Sequence, residues 1–544
     1  MVEIRIFGGV GEIGGNKILV EDDDSRIFLD FGMSFGKMGE FFQDFSKPRT
    51  NSALRDLLRL GILPRLDGIY RADACRLDGL DEVLAAHEGF EDLWTAPVES
   101  YAAYQAKHGR PFVDGVVLSH AHLDHFGHFG YLDPAIPIHS TPVTATMLRA
   151  IERVSSTSGM EGEVTVTSRR VVGRNSKGNH PGAMKIEKEK DGSEVVEIPR
   201  PLHSQAPYTP FKVGAFKVTL IPVDHSVPGA ASALIETRDG KRIYYTGDVR
   251  FHGSFHETTK RLRDTVRGLA PDVMLCEGTR ITSDEVDDEE HVRAGLGATV
   301  KATRGLAMVD FGWKDTSRFE TVQKVAAAAG RELVVGHKLA YLARQLDGVE
   351  GASVTSLEKY GNVRVYRRRI KSALYSNADY DALEHGYWDG DWSDDARDDD
   401  LAFAFDRSSL LRKAVDIRRH PERYLLAVSQ WEMTELLDID PPAGSTFTRA
   451  QCEPYDDEMA SDLARQANWL RRWNIPLKWS EKHGVELPQV AHASGHACGP
   501  HIEEFVRLVA PKTTVPIHTE HEERFEKASL GRVVRAKVGE AIRV

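Results

Sequence analysis

The ten residues Ser119–His128, SHAHLDHFGH, constrain this chain more than any other segment. They contain His120-x-His122-x-Asp124-His125, three imidazoles and a carboxylate within six positions. The segment follows the apolar run Gly115-Val-Val-Leu118, which reads as a buried strand. The cluster then occupies the loop leaving that strand, and a following helix fixes its geometry. In such a turn His120 and His122 face one cation while Asp124 and His125 face a second. Imidazole and carboxylate are the donors zinc accepts in hydrolytic sites, where one position stays open for water.

Two cations need more donors, and the chain supplies them. His225 lies just beyond the apolar stretch Val218-Thr-Leu-Ile221. Asp248 closes Tyr244-Tyr-Thr-Gly-Asp248 after the turn at Asp239-Gly240, where its carboxylate can bridge two cations. Asp30, in Arg26-Ile-Phe-Leu-Asp30-Phe-Gly32, stands at another strand end and is expected to orient a ligand histidine.

The ordered set Asp30, HxHxDH, His225 and Asp248 resembles the metallo-β-lactamase fold, an α/β four-layer αββα sandwich. Three later features narrow the resemblance. Val273-Met-Leu-Cys-Glu277 is an apolar strand ending in a carboxylate, His492-Ala-Ser-Gly-His496 follows much later, and Val515-Pro-Ile-His518 ends a last strand. These resemble the acid and two histidine motifs of the β-CASP nucleases, and in order and spacing they are most similar to ribonuclease J. Phe7-Gly-Gly-Val-Gly-Glu-Ile-Gly-Gly-Asn16 and Leu29-Asp-Phe-Gly32 are similar to that subgroup too. The likeness is strong over residues 1–35, 115–150, 215–280 and 485–525 and thin between.

The resemblance implies three segments: residues 1–282 and 486–544 as the two parts of the metallo-β-lactamase domain, and 283–485 as an inserted β-CASP α/β domain. It implies zinc-dependent hydrolysis of RNA phosphodiesters, 5′→3′ exonucleolytic with endonuclease action open, in RNA processing or decay. Two Zn2+ are the expected cofactors, with Mn2+ or Mg2+ as alternatives. His120, His122 and His225 would hold one ion, Asp124, His125 and His518 the other, with Asp248 between. Water attacks phosphorus in line, with Asp124 orienting it, and the catalytic residues implied are Asp124, Glu277 and His496, the last serving the leaving 3′ oxygen. His492, Ser494, Gly495 and His496 are the expected phosphate-binding residues. The partner expected is single-stranded RNA with a 5′ monophosphate, with a homodimer left open. A DNA-directed β-CASP nuclease and a small-molecule metallo-hydrolase are the competing readings.

The rest of the sequence is consistent with a large cytoplasmic enzyme. Four scattered cysteines lack CxxC spacing, so neither a disulfide framework nor a cysteine zinc site is expected. MVEIRIFGG is not a secretory signal, and no apolar run reaches the roughly 18–20 residues of a membrane span. A net charge of −12 argues against a protein that coats nucleic acid, yet a nuclease needs only a local basic groove. Gly9-Val-Gly11-Glu-Ile-Gly14 spells a dinucleotide fingerprint, but a strand pattern follows it instead of a helix, so a tight turn is expected.

Within the insert, Arg304–Phe311, Ser317–Ala329 and Arg331–Val335 read as strand, helix and strand, a parallel α/β unit. Asp315-Thr-Ser-Arg318 is either a phosphate contact or an N-cap. Arg364–Lys371, Arg412-Lys413 and Arg418-Arg419 are either a solvated face or the lining of an RNA path. Trp469 and Trp473 read as core, on a helix from Glu458 to Trp473. The acidic run Asp394–Asp400 reads as a solvated loop. Residues 45–112 and 155–205 resemble insertions relative to ribonuclease J, the second with a hairpin or mobile loop around Asn175–Asn179. Val428-Ser-Gln-Trp-Glu-Met433 departs from the usual Gly-Ser-Gln-Gly-Glu-Pro, and the chain ends soon after His518, so a divergent subfamily without the usual C-terminal domain is expected.

Overall fold

Val2, Ile4 and Ile6 alternate with half-buried polar residues, so Val2–Gly8 forms a strand (β1) with one buried face. The computed structural model describes all residues except 1, 44–45, 51, 87, 156–161, 175–183, 193, 286–287, 370–409, 452–456 and 529. After β1 the glycine-rich segment turns directly into β2 (Lys17–Asp22), and β3 (Ser25–Phe31) returns antiparallel to β2. The GxGxxG spelling is therefore a strand-to-strand connection. β4 (Gly115–Val117), β5 (Ile138–Ser140) and β6 (Leu202–Ser204) add in parallel beyond β3.

The next strands build a second mixed sheet in chain order. They are β7 (Phe211–Val213), β8 (Phe216–Pro222), β9 (Ala231–Glu236), β10 (Arg242–Tyr245), β11 (Val273–Glu277), β12 (Thr513–Ile517) and β13 (Arg532–Val533). β14 (Ala541–Arg543) returns to the first sheet beside β1. Ile4, Ile18, Ile27 and Val117 of the first sheet share one apolar cluster with Val218, Leu220, Ile243, Leu275 and Val515 of the second. On the other face of the second sheet, Tyr244 and Met274 cluster with Leu262 and Val266 of helix His256–Val266 and with Phe505 and Val509 of helix Gly499–Val509. Each fully buried Ile, Leu or Val contributes about 1.5–3 kcal/mol. Val515 and Ile517 thus help hold β12 in parallel register with β11, from Val273↔Thr513 to Glu277↔Ile517. That register carries His518 to the segment just after Glu277.

These strands belong to one of two compact units, residues 1–251, 255–285 and 495–544. The described parts of segments 45–112 and 155–205 pack on each other within it. Val171 N donates to Asp78 O at 2.9 Å, and Arg169 N donates to an Asp73 carboxylate oxygen at 3.1 Å. Both anchor to the stretch after the histidine cluster. Arg71 N donates to Tyr131 O, and the buried Arg200 guanidinium donates to the carbonyls of Phe129, Leu132 and Asp133. A hairpin, Arg169–Arg174 with Met184–Lys188, rises from this base, while 175–179 lies outside the described residues.

The other unit, residues 252–254 and 286–494, is built on a sheet whose described strands pair in parallel throughout. Its central strands are Ala307–Asp310, Glu332–Val335 and Tyr424–Ala427, and helix Thr316–Ala328 connects the first two. Asp315 caps that helix by accepting from Arg318 N at 2.9 Å. The basic stretch after Gly361 is largely neutralised in place. Arg364 and Arg412 pair with Glu332, Arg368 with Glu435, Arg369 with Asp438 and Arg418 with Asp440. Residues 370 and 371, and the acidic run 394–400, lie outside the described residues. Trp469 and Trp473 stack at 6.2 Å on helix Asp457–Arg472 and its end, and pack against the apolar cluster of Leu306, Leu426 and Leu470. Val428–Met433 leads into a 3-10 turn in which Ser429 and Glu432 form a capping box. Among the described residues, no helix is long and apolar enough to cross a membrane.

Candidate metal centre

Every sequence-predicted donor of the first unit lies at or just beyond the end of a strand. Ser119–His125 follows β4, His225 follows β8, Asp248 follows β10, Glu277 ends β11 and His518 follows β12. His122 starts the short helix Leu123–Phe126, which turns Asp124 and His125 inward. Gly32 makes this turn possible: a Cβ there would lie 1.6 Å from Asp124 O, so only hydrogen fits.

The side chains converge on one carboxylate. His120, His122, His225 and Asp248 form one group, and Asp124, His125, Asp248 and His518 form a second, with donor atoms in each within 4.8 Å of one another. In the first group His122 Nδ1 is 3.1 Å from His120 Nε2 and 3.0 Å from His225 Nε2. Asp248 Oδ2 lies 3.6 Å from His120 Nε2 and 3.1 Å from His125 Nε2. It lies 3.6 Å from His518 Nε2, while Asp124 Oδ2 is 3.2 Å from the same nitrogen. Asp248 also forms a third group with Glu277 and His496, whose Nδ1 is 3.3 Å from each Glu277 oxygen.

Backbone and side-chain partners orient these rings from behind. Asp30 accepts from Ser119 N on Oδ1 at 2.7 Å, and from Ser119 Oγ on Oδ2 at 2.7 Å. Ser119 Oγ has one hydrogen and spends it on Asp30, so at 3.0 Å it accepts from His120 Nδ1, leaving the Nε2 lone pair facing inward. His225 Nδ1 donates to Gly495 O at 2.6 Å with the same result. A buried ion pair, Arg250 Nε to Asp224 Oδ1 at 2.8 Å, ties the residue before His225 to the one two after Asp248.

Burial and mutual charge set the protonation. Burial, with His125 and His225 nearby, pulls His120 well below the usual histidine range, and burial pulls His225 down to about 3. Burial opposes charge on His125 as well, but the carboxylates of Asp248, Asp124 and Asp30 outweigh it and push that ring well above its ordinary value. Asp248 is depressed despite its burial, because His125, His518 and His496 surround it. Neutral His120 and His225, whose Nε2 atoms both face His122 Nδ1, together with the ionised carboxylate of Asp248 are a donor set for divalent cations. Asp248 Oδ1 fits the same reading: it is buried with no hydrogen-bond partner, a costly state for a carboxylate unless a cation meets it.

The four expected phosphate-binding residues divide between the units, Gly495 and His496 in the first, His492 and Ser494 in the second. In the second unit Ser494 O is 3.0 Å from His252 Nε2. Burial and the Arg318 charge lower His492 to about 3. Sequence reasoning missed Ser119, Tyr245, Asn16, Thr279 and the Asp224–Arg250 pair. Only position could have flagged them, since each lies within about three residues of a donor or of a strand turning toward one.

Residues 93–309 match the β-lactamase superfamily domain. Over those residues, under half of its length, the chain is similar to that domain. That match includes the HxHxDH motif, His225, Asp248 and Glu277, and leaves out Asp30, His496 and His518. The chain also resembles ribonuclease J. It is 23% identical to ribonuclease J of Sinorhizobium meliloti over 228 residues, 40% of this chain and 33% of that one. It is 21% identical to ribonuclease J of Pyrococcus abyssi over 537 residues, 96% of this chain and 90% of that one. The aligned stretch covers a third or less of the Sinorhizobium and Helicobacter pylori relatives. A crystal structure of a protein of unknown function from Enterococcus faecalis shares the fold, with a TM-score of 0.63 and 20% identity over the full length of both chains.

Proposed function

We propose that this chain is a divalent-metal-dependent phosphodiesterase acting on RNA. The observation that carries the reading is the pair of four-donor groups sharing Asp248. The resemblance to ribonuclease J supports RNA as the substrate. His120, His122 and His225 would hold one ion, Asp124, His125 and His518 a second, with Asp248 serving both. Two zinc ions are the proposed complement, and when bound they supply an activated water and neutralise charge on phosphoryl oxygens.

The chain's own residues do the rest. Burial disfavours a charged His496, but Glu277 and Asp248 outweigh it and raise its pKa to about 9, so the ring carries a proton at neutral pH. With Nδ1 committed to Glu277, Nε2 is the atom that gives its proton to the leaving 3′ oxygen. Glu277, which also accepts from Val249 N at 2.9 Å, keeps that ring oriented and charged. The second unit is proposed to be the β-CASP domain, and the direction of attack to be 5′→3′ from a 5′ monophosphate.

The test uses 5′-labelled RNA and DNA of one sequence, RNA carrying a 5′ mono- or triphosphate, each with and without chelator. Chelator-sensitive loss of monophosphorylated RNA, faster than triphosphorylated RNA and much faster than DNA, is the expected result. Preference for DNA overturns RNA as the substrate. Equal rates on both RNA ends overturn the 5′-end preference.

A further inference from the structure

The strand end Glu277-Gly278-Thr279 faces two histidines. Glu277 turns toward His496, and Thr279 turns toward His518, with Oγ1 2.8 Å from His518 Nδ1 and 3.3 Å from His518 O. Gly278 permits this approach, because a Cβ there would meet the Phe525 ring at 2.7 Å and Thr519 Cβ at 3.1 Å. His518 needs such a restraint. It is fully buried, its φ of 51° lies in the left-handed region that bulky residues seldom adopt, and its N donates to Gly9 O at 2.7 Å.

A threonine hydroxyl has one hydrogen to give. The His518 carbonyl can only accept, so the hydroxyl donates there, and its oxygen is then an acceptor for Nδ1–H. The opposite arrangement, hydroxyl to Nδ1, would place the ring proton on Nε2, the nitrogen 3.2 Å from Asp124 and 3.6 Å from Asp248. We propose that Thr279 is a positioning residue for His518: its hydroxyl fixes the ring's rotation and tautomer so that the Nε2 lone pair faces the Asp124–Asp248 carboxylates. The inference rests on the reading that His518 helps hold the second cation. Ser119 does the same for His120, so a hydroxyl stands behind a donor histidine in each group.

The test is a Co2+ titration against a competing chelator for the full chain and for Thr279→Val and Thr279→Ser. Valine keeps the shape and removes the hydroxyl, and serine restores it. The second equivalent should bind 10–100-fold more weakly in Thr279→Val, the usual cost of removing an outer partner. The first equivalent should stay within about twofold, and Thr279→Ser within about threefold of the wild type at both sites. Equal binding of the second ion by Thr279→Val and the wild type overturns the role of Thr279 alone. A wild-type chain that takes up only one ion overturns the two-cation reading, and this inference with it. If Thr279→Val does not fold, Thr279→Ala is read instead with the same expected loss.

Discussion

Asp30 Oδ2 lies 2.6 Å from His125 Nδ1, and Tyr245 Oη donates to the same oxygen at 2.5 Å. Asn16 Nδ2 donates in turn to Tyr245 Oη at 3.0 Å, so a chain of buried polar groups ends on a donor histidine. Both carboxylate oxygens are used only as acceptors, Oδ1 by Ser119 N–H and Oδ2 by His125, Tyr245 and Ser119 Oγ.

Asp30→Asn therefore disturbs the array in either amide orientation, because its NH2 group meets Ser119 N–H at one position and His125 Nδ1–H at the other. Affinity for the ion held by His125 should fall 10–100-fold, with little change at the His120–His122–His225 group. Competitive chelation measures both. Equal loss at the two sites would show that Asp30 supports the fold and not one ring.

His518 is contributed from the far end of the chain, and the register of β12 on β11 brings it to Asp124. In His518→Ala the second ion should be lost while the first remains, and cleavage of RNA should fall at least about 10²-fold, the scale of losing an electrostatic stabiliser of the transition state. Metal content per chain and single-turnover rates check this. Full occupancy and an unchanged rate would remove His518 from the centre.

The donors were legible because each is a short polar interruption after an apolar run. His120–His125, His225, Asp248 and His518 all follow strands that pattern alone locates. What holds the donors was not legible. Ser119, Thr279 and Tyr245 are ordinary strand or loop residues; the parallel pairing of β3 with β4 and of β11 with β12 brings Ser119 to Asp30 and Thr279 to His518, and the facing of the two sheets brings Tyr245 to Asp30. The basic run from Arg364 could be read as a solvated face or a nucleic-acid path. Its partners Glu332, Glu435 and Asp438 lie about 30–75 residues away, on other strands and turns, beyond the reach of local pattern. The two long segments 45–112 and 155–205 carry no periodicity that links them, yet they share a base built from Arg71, Asp73, Asp78 and Arg200.

Stripping the cations should destabilise the first unit. The inward lone pairs of His120 and His225 share at most the one proton of His122 Nδ1, and a buried Asp248 oxygen has no hydrogen-bond partner, a cost that bound ions remove. Each ion at about 100 times its Kd adds about 2.7 kcal/mol. Dialysis against chelator should lower the melting temperature by several degrees, and about two equivalents of Zn2+ per chain should restore it. Full restoration of stability and activity at one equivalent would exclude a two-ion centre.

The last prediction concerns the second unit. Asp310 ends the strand Ala307–Asp310 and is 1% exposed. Burial raises its pKa to about 6, although Arg449 at 3.5 Å and the amides of Gln466 and Gln451 work against that rise. A carboxyl whose folded pKa exceeds its unfolded value of roughly 4 binds more protons when folded. Its contribution to stability is therefore complete below about pH 4 and is lost as pH rises through about 6. Two pKa units correspond to about 2–3 kcal/mol over that window. Asp310→Asn cannot titrate, so the melting temperature of the wild type relative to this variant should be higher at pH 4.5 than at pH 7.5. Hydrogen exchange in the strand Ala307–Asp310 should follow the same trend. A difference that is constant with pH, or that grows toward pH 7.5, would show that Asp310 is ionised in the fold throughout and that the Arg449 contact outweighs burial.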